Sequence, residues 1–140
     1  MKVKEVMHKG VTWAGPDTPI SEIAKLMREH DIGAIPIGDD GRLIGMVTDR
    51  DIVCKGLTDE KFDPRTATAL SVMTPGIHCC AEDDDLDKAI AHLEDKKVRR
   101  LPVINKHKRM VGIVSLGDLG QKASDARLAD CVKTLSAHHH

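Results

Sequence analysis

The chain has 140 residues, of which 41% are hydrophobic and 31% charged, with a formal net charge of −1. Such a length suits one compact domain or two tightly joined halves. No basic excess is present to neutralise phosphates along a groove, and one Trp, one Phe and no Tyr leave no platform for stacking bases, so nucleic acid is excluded as an expected partner.

In chain order, the opening MKVKEVMHKGV has no apolar stretch of the kind a leader needs. No run approaches the roughly 18 apolar residues of a membrane span. Cys54, Cys79, Cys80 and Cys131 form no CxxC pair. The expectation is a protein of the reducing cytoplasm.

A long internal repeat dominates the chain. Val6–Val53 is echoed by Val72–Leu119: Val-Met opens both, Gly10 answers Gly76 and Pro36 answers Pro102. Thr18-Pro19 reads as a helix N-cap and first-turn pair. Ile20, Ile23, Ala24 and Met27 then recur at helical spacing, as do Leu86, Ala89, Ile90 and Leu93 in the second copy. The short runs Ala34–Ile37 and Leu101–Ile104 predict strands whose prolines suggest an edge or a strand end. Polar loops at 38–41 and 105–108 lead into partner strands at 43–47 and 110–114.

Residues 57–70, rich in Asp, Thr and Pro, read as a linker, and Leu128, Cys131, Val132 and Leu135 predict a C-terminal amphipathic helix. The expected organisation is therefore α+β: a repeat over 1–56, the linker 57–70, a second repeat over 71–120, a helix over 121–137 and a tag at 138–140. Each repeat is a small mixed sheet with two helices, and the two copies are expected to pack together.

Both copies end on nearly the same string, GMVTDRD at 45–51 and GIVSLGD at 112–118. Thr48-x-x-Asp51 and Ser115-x-x-Asp118 match a capping box, in which hydroxyl and acid serve the first turn reciprocally, a device worth about 1 kcal/mol. The same geometry supports a binding function. A hydroxyl at the cap can donate to a ribose or phosphate oxygen, and a carboxylate one turn on can accept from both hydroxyls of a ribose. Gly117 and Gly120 fall within the last motif's helix, each costing about 1 kcal/mol against Ala.

These strings, with IGAIPI and VRRLPV, give residues 3–120 the pattern of a tandem cystathionine-β-synthase (CBS) domain pair, and the chain resembles the small stand-alone bacterial members of that family. The resemblance implies a regulatory module, not an enzyme, that binds AMP, ADP or ATP in two clefts between the repeats and signals to a protein effector, as a homodimer. Carried over by residue, one cleft takes Thr48 and Asp51 on ribose and phosphate, Met73, Gly76, His78 and Val98 around adenine, and Arg99 and Arg100 near the phosphates. The other takes Ser115 and Asp118, with Met7, Gly10, Thr12, Ile32, Gly33 and Ala34. The arginines predict that the Thr48 cleft prefers the more phosphorylated ligand.

The residues give less support to other chemistry. His8, His30, His78, His92 and His107 accompany no nucleophile elbow, HExxH or Walker loop, so no catalysis is expected. His78-Cys79-Cys80 is a local soft-ligand cluster, with His8 at the corresponding place in the first copy, but zinc needs four converging ligands. A structural dimerisation module without nucleotide, and a metal- or redox-responsive protein, are the alternative readings.

Overall fold

The structure is a computed structural model that describes residues 1–75, 78–121 and 125–137. The chain divides into two compact units, Thr12–Ile77 and Met1–Val11 with His78–His140. Unit boundaries thus differ from repeat boundaries: the opening segment of each repeat belongs to the unit built mainly from the other.

In the Thr12–Ile77 unit, helix α1 (Ile20–His30) precedes the hairpin β1 (Ala34–Asp39) and β2 (Arg42–Thr48), and the short strand β3 (Thr74–Pro75) adds to β2. The three strands pair antiparallel, from Ala34↔Thr48 to Asp39↔Arg42 between β1 and β2 and at Gly45↔Pro75 between β2 and β3. Ala14 bridges Ile37 in parallel at the free side of β1. The hairpin turns on Asp40 and Gly41, both with positive φ, the conformation a tight two-residue turn requires. After β2 come the helical turn α2 (Asp49–Asp51), a π-helical stretch at Ile52–Gly56, and α3 (Ala69–Val72). Ile20, Ile23, Ile35, Ile37 and Val47 form the core.

The structure corrects two sequence expectations in this unit. Thr18 is not the side-chain cap of α1: Pro19 holds the N-cap position, and Thr18 Oγ1 accepts from Gly15 N at 3.1 Å. The open amides of α1 are taken by the linker instead, Ile20 N donating to Ala67 O and Ser21 N to Pro64 O. The linker is therefore tied down, and Phe62 and Ala67 pack on the core. Ala24, placed on the apolar stripe, is exposed, while Leu26 packs in its stead.

The other unit repeats the plan. Strand β4 (Cys80–Ala81) runs parallel to β5 (Arg100–Ile104), which pairs antiparallel with β6 (Met110–Ser115), and α4 (Leu86–Lys96) crosses between β4 and β5 in sequence. Its four apolar positions, Leu86, Ala89, Ile90 and Leu93, are all buried, as the spacing predicts. The equivalent helices α1 and α4 each close on a left-handed residue, Asp31 and Lys97. His8 bridges Ile113 antiparallel, filling beside β6 the place that β3 fills beside β2.

Pro102 does not mark an edge, because β5 is the central strand. Two-residue β4 pairs only with Val103 and Ile104, so the neighbour does not call on the N–H that Pro102 lacks. Helix α5 (Leu116–Gly120) follows β6, and α6 (Asp125–Ala137) packs on α4 and α5. Cys131 and Leu135 are buried as expected, and Arg127 pairs with Glu94 across to α4. Val132, expected on the stripe, is exposed. The Leu128 side chain and residues 138–140 lie outside the described part of the structure.

Candidate functional site

The two matching strings occupy equivalent strand-to-helix junctions. Thr48 leaves β2 extended, its Oγ1 accepts from Asp51 N at 3.1 Å, and Thr48 N donates to Asp51 Oδ2 at 2.9 Å. Ser115 does the same after β6: Oγ accepts from Asp118 N at 3.2 Å, and Ser115 N donates to Asp118 Oδ2 at 2.8 Å. Both capping boxes are complete. Since each hydroxyl is used as an acceptor, its own hydrogen remains a donor for something else.

Only one oxygen of each carboxylate belongs to the cap. The other, Oδ1, faces a side-chain nitrogen: Lys55 Nζ at 3.2 Å from Asp51, and His8 Nε2 at 2.9 Å from Asp118. The aspartate side chains are nearly buried, at 12% and 13% exposure, whereas Lys55 is at 49% and His8 at 74%. A contact made by so exposed a side chain is held weakly, so the nitrogen can give way to another donor. Lys55 also reaches Val72 O and Thr74 Oγ1, at 3.4 and 3.3 Å.

The glycine that opens each string has a packing cause. A Cβ on Gly45 would lie 2.9 Å from both Met73 Sδ and Thr74 O, and one on Gly112 would lie 2.6 Å from Met7 Sδ and 2.7 Å from His8 O. Glycine lets the opening segment of the opposite repeat lie directly on the strand, which brings Met73 to the Thr48 unit and Met7 to the Ser115 unit.

The remaining sequence-predicted residues divide between the two junctions. Ile32, Gly33 and Ala34 adjoin Thr48, since Ala34 pairs with Thr48 and Asp49 N donates to Gly33 O at 2.9 Å. Val98, Arg99 and Arg100 adjoin Ser115 in the same manner, with Arg100 opposite Ser115 and Leu116 N donating to Arg99 O at 2.9 Å. The sequence reading grouped Val98, Arg99 and Arg100 with Thr48, and Ile32, Gly33 and Ala34 with Ser115, across the repeats; within its own unit, each triplet lies beside the junction of its own repeat. Thr12 belongs to the Thr48 unit, and Gly10 and His78 to the Ser115 unit. Gly10 has φ of 73°, a left-handed backbone that favours glycine whatever else it does. Gly76 lies outside the described residues.

Sequence reasoning passes over Lys55, Asp49 and Thr74, and takes His8 only as a metal candidate. The signals are present in the chain: Lys55 is one helical turn from Asp51, and His8 follows Met7.

Among the described residues no three His, Cys, Asp or Glu side chains converge on a metal position. Cys80 is buried and donates toward Pro102 O, and burial pushes its thiol up to about 12, with Asp84 adding to the effect. Burial raises Cys79 as well.

Comparison with known proteins settles the family. The CBS domain profile matches residues 3–55 and 69–121. The chain belongs to the CBS domain family. Its two copies make it a CBS pair, of α+β fold with a C-terminal helix. Hypoxic response protein 1 of Mycobacterium tuberculosis is 41% identical over 133 residues, covering 94% of this chain and 92% of the relative. A crystal structure of Hypoxic Response Protein I with two coordinated zinc ions superposes with a TM-score of 0.80 at 42% identity, over 89% of this chain and all of that one. The CBS pair of MJ0100, solved with 5′-methylthioadenosine and S-adenosyl-L-methionine, gives 0.75 at 30% identity, over 86% of this chain and 94% of that one. CBSX2 in complex with AMP gives 0.74 at 25%, over 94% and 98%. No helix among the described residues is long and apolar enough to cross a membrane.

Proposed function

We propose that this CBS pair is a sensor of adenosine ligands, among them AMP, ADP or ATP, and that the two strand-to-helix junctions hold the ribose. The observation that carries the reading is the division of labour within each carboxylate: Oδ2 is fixed by the cap, while among the described residues Oδ1 meets an exposed, displaceable side-chain nitrogen. Oδ1 of Asp51 and Asp118 accepts from the ribose hydroxyls, and the Thr48 and Ser115 hydroxyls donate to ligand oxygens. Met73 and Met7 offer apolar surface to the adenine, in a chain with almost no aromatics. Arg99 and Arg100 provide cations for phosphate at the Ser115 junction. The complexes of MJ0100 and CBSX2 with adenosine compounds support the ligand class.

Ligand binding releases Lys55 from Asp51 and His8 from Asp118. Both side chains sit on segments the junction helps to order: Lys55 also bonds Val72 and Thr74, and the His8 backbone bridges Ile113. Releasing them shifts those segments, and an effector protein reads the change in a homodimer. A ligand moves such an equilibrium only as far as it discriminates between the two states.

The test is calorimetry on tag-free protein with AMP, ADP, ATP, NAD and S-adenosylmethionine, alongside Asp51→Ala and Asp118→Ala. Saturable binding that each substitution weakens at one junction is the expected result. Silence across the panel would leave a structural dimerisation module.

A further inference from the structure

We propose that the two junctions divide adenosine ligands by charge: the Thr48–Asp51 junction takes an adenosine whose 5′ substituent carries no phosphate, and Asp49 is the residue that excludes phosphate there. The inference rests on the adenosine reading of these junctions and specifies their ligands.

The two junctions can be compared atom by atom because their backbones bond alike. Asp49 N donates to Gly33 O as Leu116 N donates to Arg99 O, both at 2.9 Å, and Ala34 faces Thr48 as Arg100 faces Ser115. Position 33 therefore corresponds to 99, 34 to 100, and 49 to 116. At one junction these are Arg, Arg and Leu; at the other they are Gly, Ala and Asp. Two cations are lost and one anion is gained.

The anion also stands where the cation would be. A Cβ built on Gly33 would lie 3.0 Å from Asp49 Oδ2 and 3.3 Å from Asp49 Cγ. The Asp49 carboxylate thus covers the direction along which Arg99 leaves its own backbone. Its Oδ1 accepts from Arg50 N at 2.8 Å, and among the described residues no lysine or arginine side chain pairs with it. Lys55 is engaged by Asp51, and Arg50 lies exposed on the next position. A phosphate at this junction would face Asp49 and Asp51 together, whereas a neutral thioether or a sulfonium cation would meet no repulsion. At the Ser115 junction, Arg99 and Arg100 outnumber Asp118.

The test titrates 5′-methylthioadenosine, AMP and ATP into the full chain carrying Asp118→Ala, then into the same chain with Asp49→Asn added. Asparagine keeps the shape of Asp49 and the acceptor for Arg50 N, so folding is not at issue. The expected result is AMP weaker than methylthioadenosine by at least about tenfold, the scale of one like-charge contact in partly screened surroundings, with Asp49→Asn closing the gap. Should Asp118→Ala disturb folding, the Thr48 and Asp51 amide resonances of the unsubstituted chain read the same ratio. AMP binding as well as methylthioadenosine, or a ratio unmoved by Asp49→Asn, would overturn the inference while leaving adenosine sensing intact. Failure of every adenosine compound to bind would overturn both.

Discussion

Replacing Gly112 with alanine should destabilise the protein by about 2 kcal/mol, although alanine is elsewhere the better residue for a strand or helix. The new methyl would stand 2.6 Å from Met7 Sδ, 3.1 Å from Met7 Cγ and 2.7 Å from His8 O. Met7 is a flexible thioether and can swing aside. The His8 carbonyl cannot, because it accepts from Ile113 N at 3.0 Å while His8 N donates to Ile113 O at 2.9 Å. Relief of the clash means separating that bridge, at about 1 kcal/mol for each of two backbone hydrogen bonds. Overpacking that is not relieved costs roughly 1–3 kcal/mol. Against either route stands a gain of about 0.4–1 kcal/mol from the stiffer unfolded chain. Urea unfolding followed by circular dichroism measures the net, with Gly117→Ala as the control. At Gly117 the nearest atom to a new Cβ is Ser115 Oγ at 3.6 Å, so that variant should be neutral or more stable by about 0.5 kcal/mol. If Gly112→Ala lay within experimental error of the parent, the reading of this glycine as a seat for the opening segment would be wrong.

Removing either capping hydroxyl, by Thr48→Ala or Ser115→Ala, should cost about 1 kcal/mol in the same assay; a loss of zero at both would contradict the observed boxes. Reaction with a thiol reagent near neutral pH should modify exposed Cys54 first and leave buried Cys80 untouched until unfolding; rapid labelling of Cys80 would refute its burial. Cys80 also sets a pH dependence. Its folded value, about 12, lies above the ordinary 9.0, so the unfolded chain loses its proton first. The stability associated with Cys80 is whole below 9.0 and falls as pH rises from there toward 12. Denaturation midpoints across that window should fall less steeply in Cys80→Val than in the parent, and identical slopes would count against the assignment.

The features legible in the sequence are the local ones. The apolar face of α4 and both capping boxes are written within a few residues and lie where the spacing puts them, while the loop expected over 38–41 narrows to a turn at Asp40-Gly41 because β1 continues through Asp39. The errors share a cause. Thr18 looks like a cap because its alternative, the carbonyls of Pro64 and Ala67, lies more than forty residues away in the chain. Pro102 looks like an edge residue because nothing nearby says that its neighbour strand is only two residues long. The same limit applies to the candidate site. Thr48, Asp51, Ser115 and Asp118 are evident as repeated letters, but the side-chain nitrogens on their outer oxygens are not. One of them, His8, arrives from the opposite end of the chain. The placement of Arg99 and Arg100 beside Ser115 needs the strand register of β5 against β6.

Ribose recognition at the two junctions is tested most directly by an amide correlation spectrum of the labelled protein titrated with adenosine, which carries the ribose diol and no phosphate. Saturable shifts are expected at Thr48 and Asp51 and at Ser115 and Asp118, lost in the Asp51→Ala, Asp118→Ala double variant. Saturable shifts that leave all four amides in place, or that survive the double substitution, would contradict a carboxylate grip on the ribose.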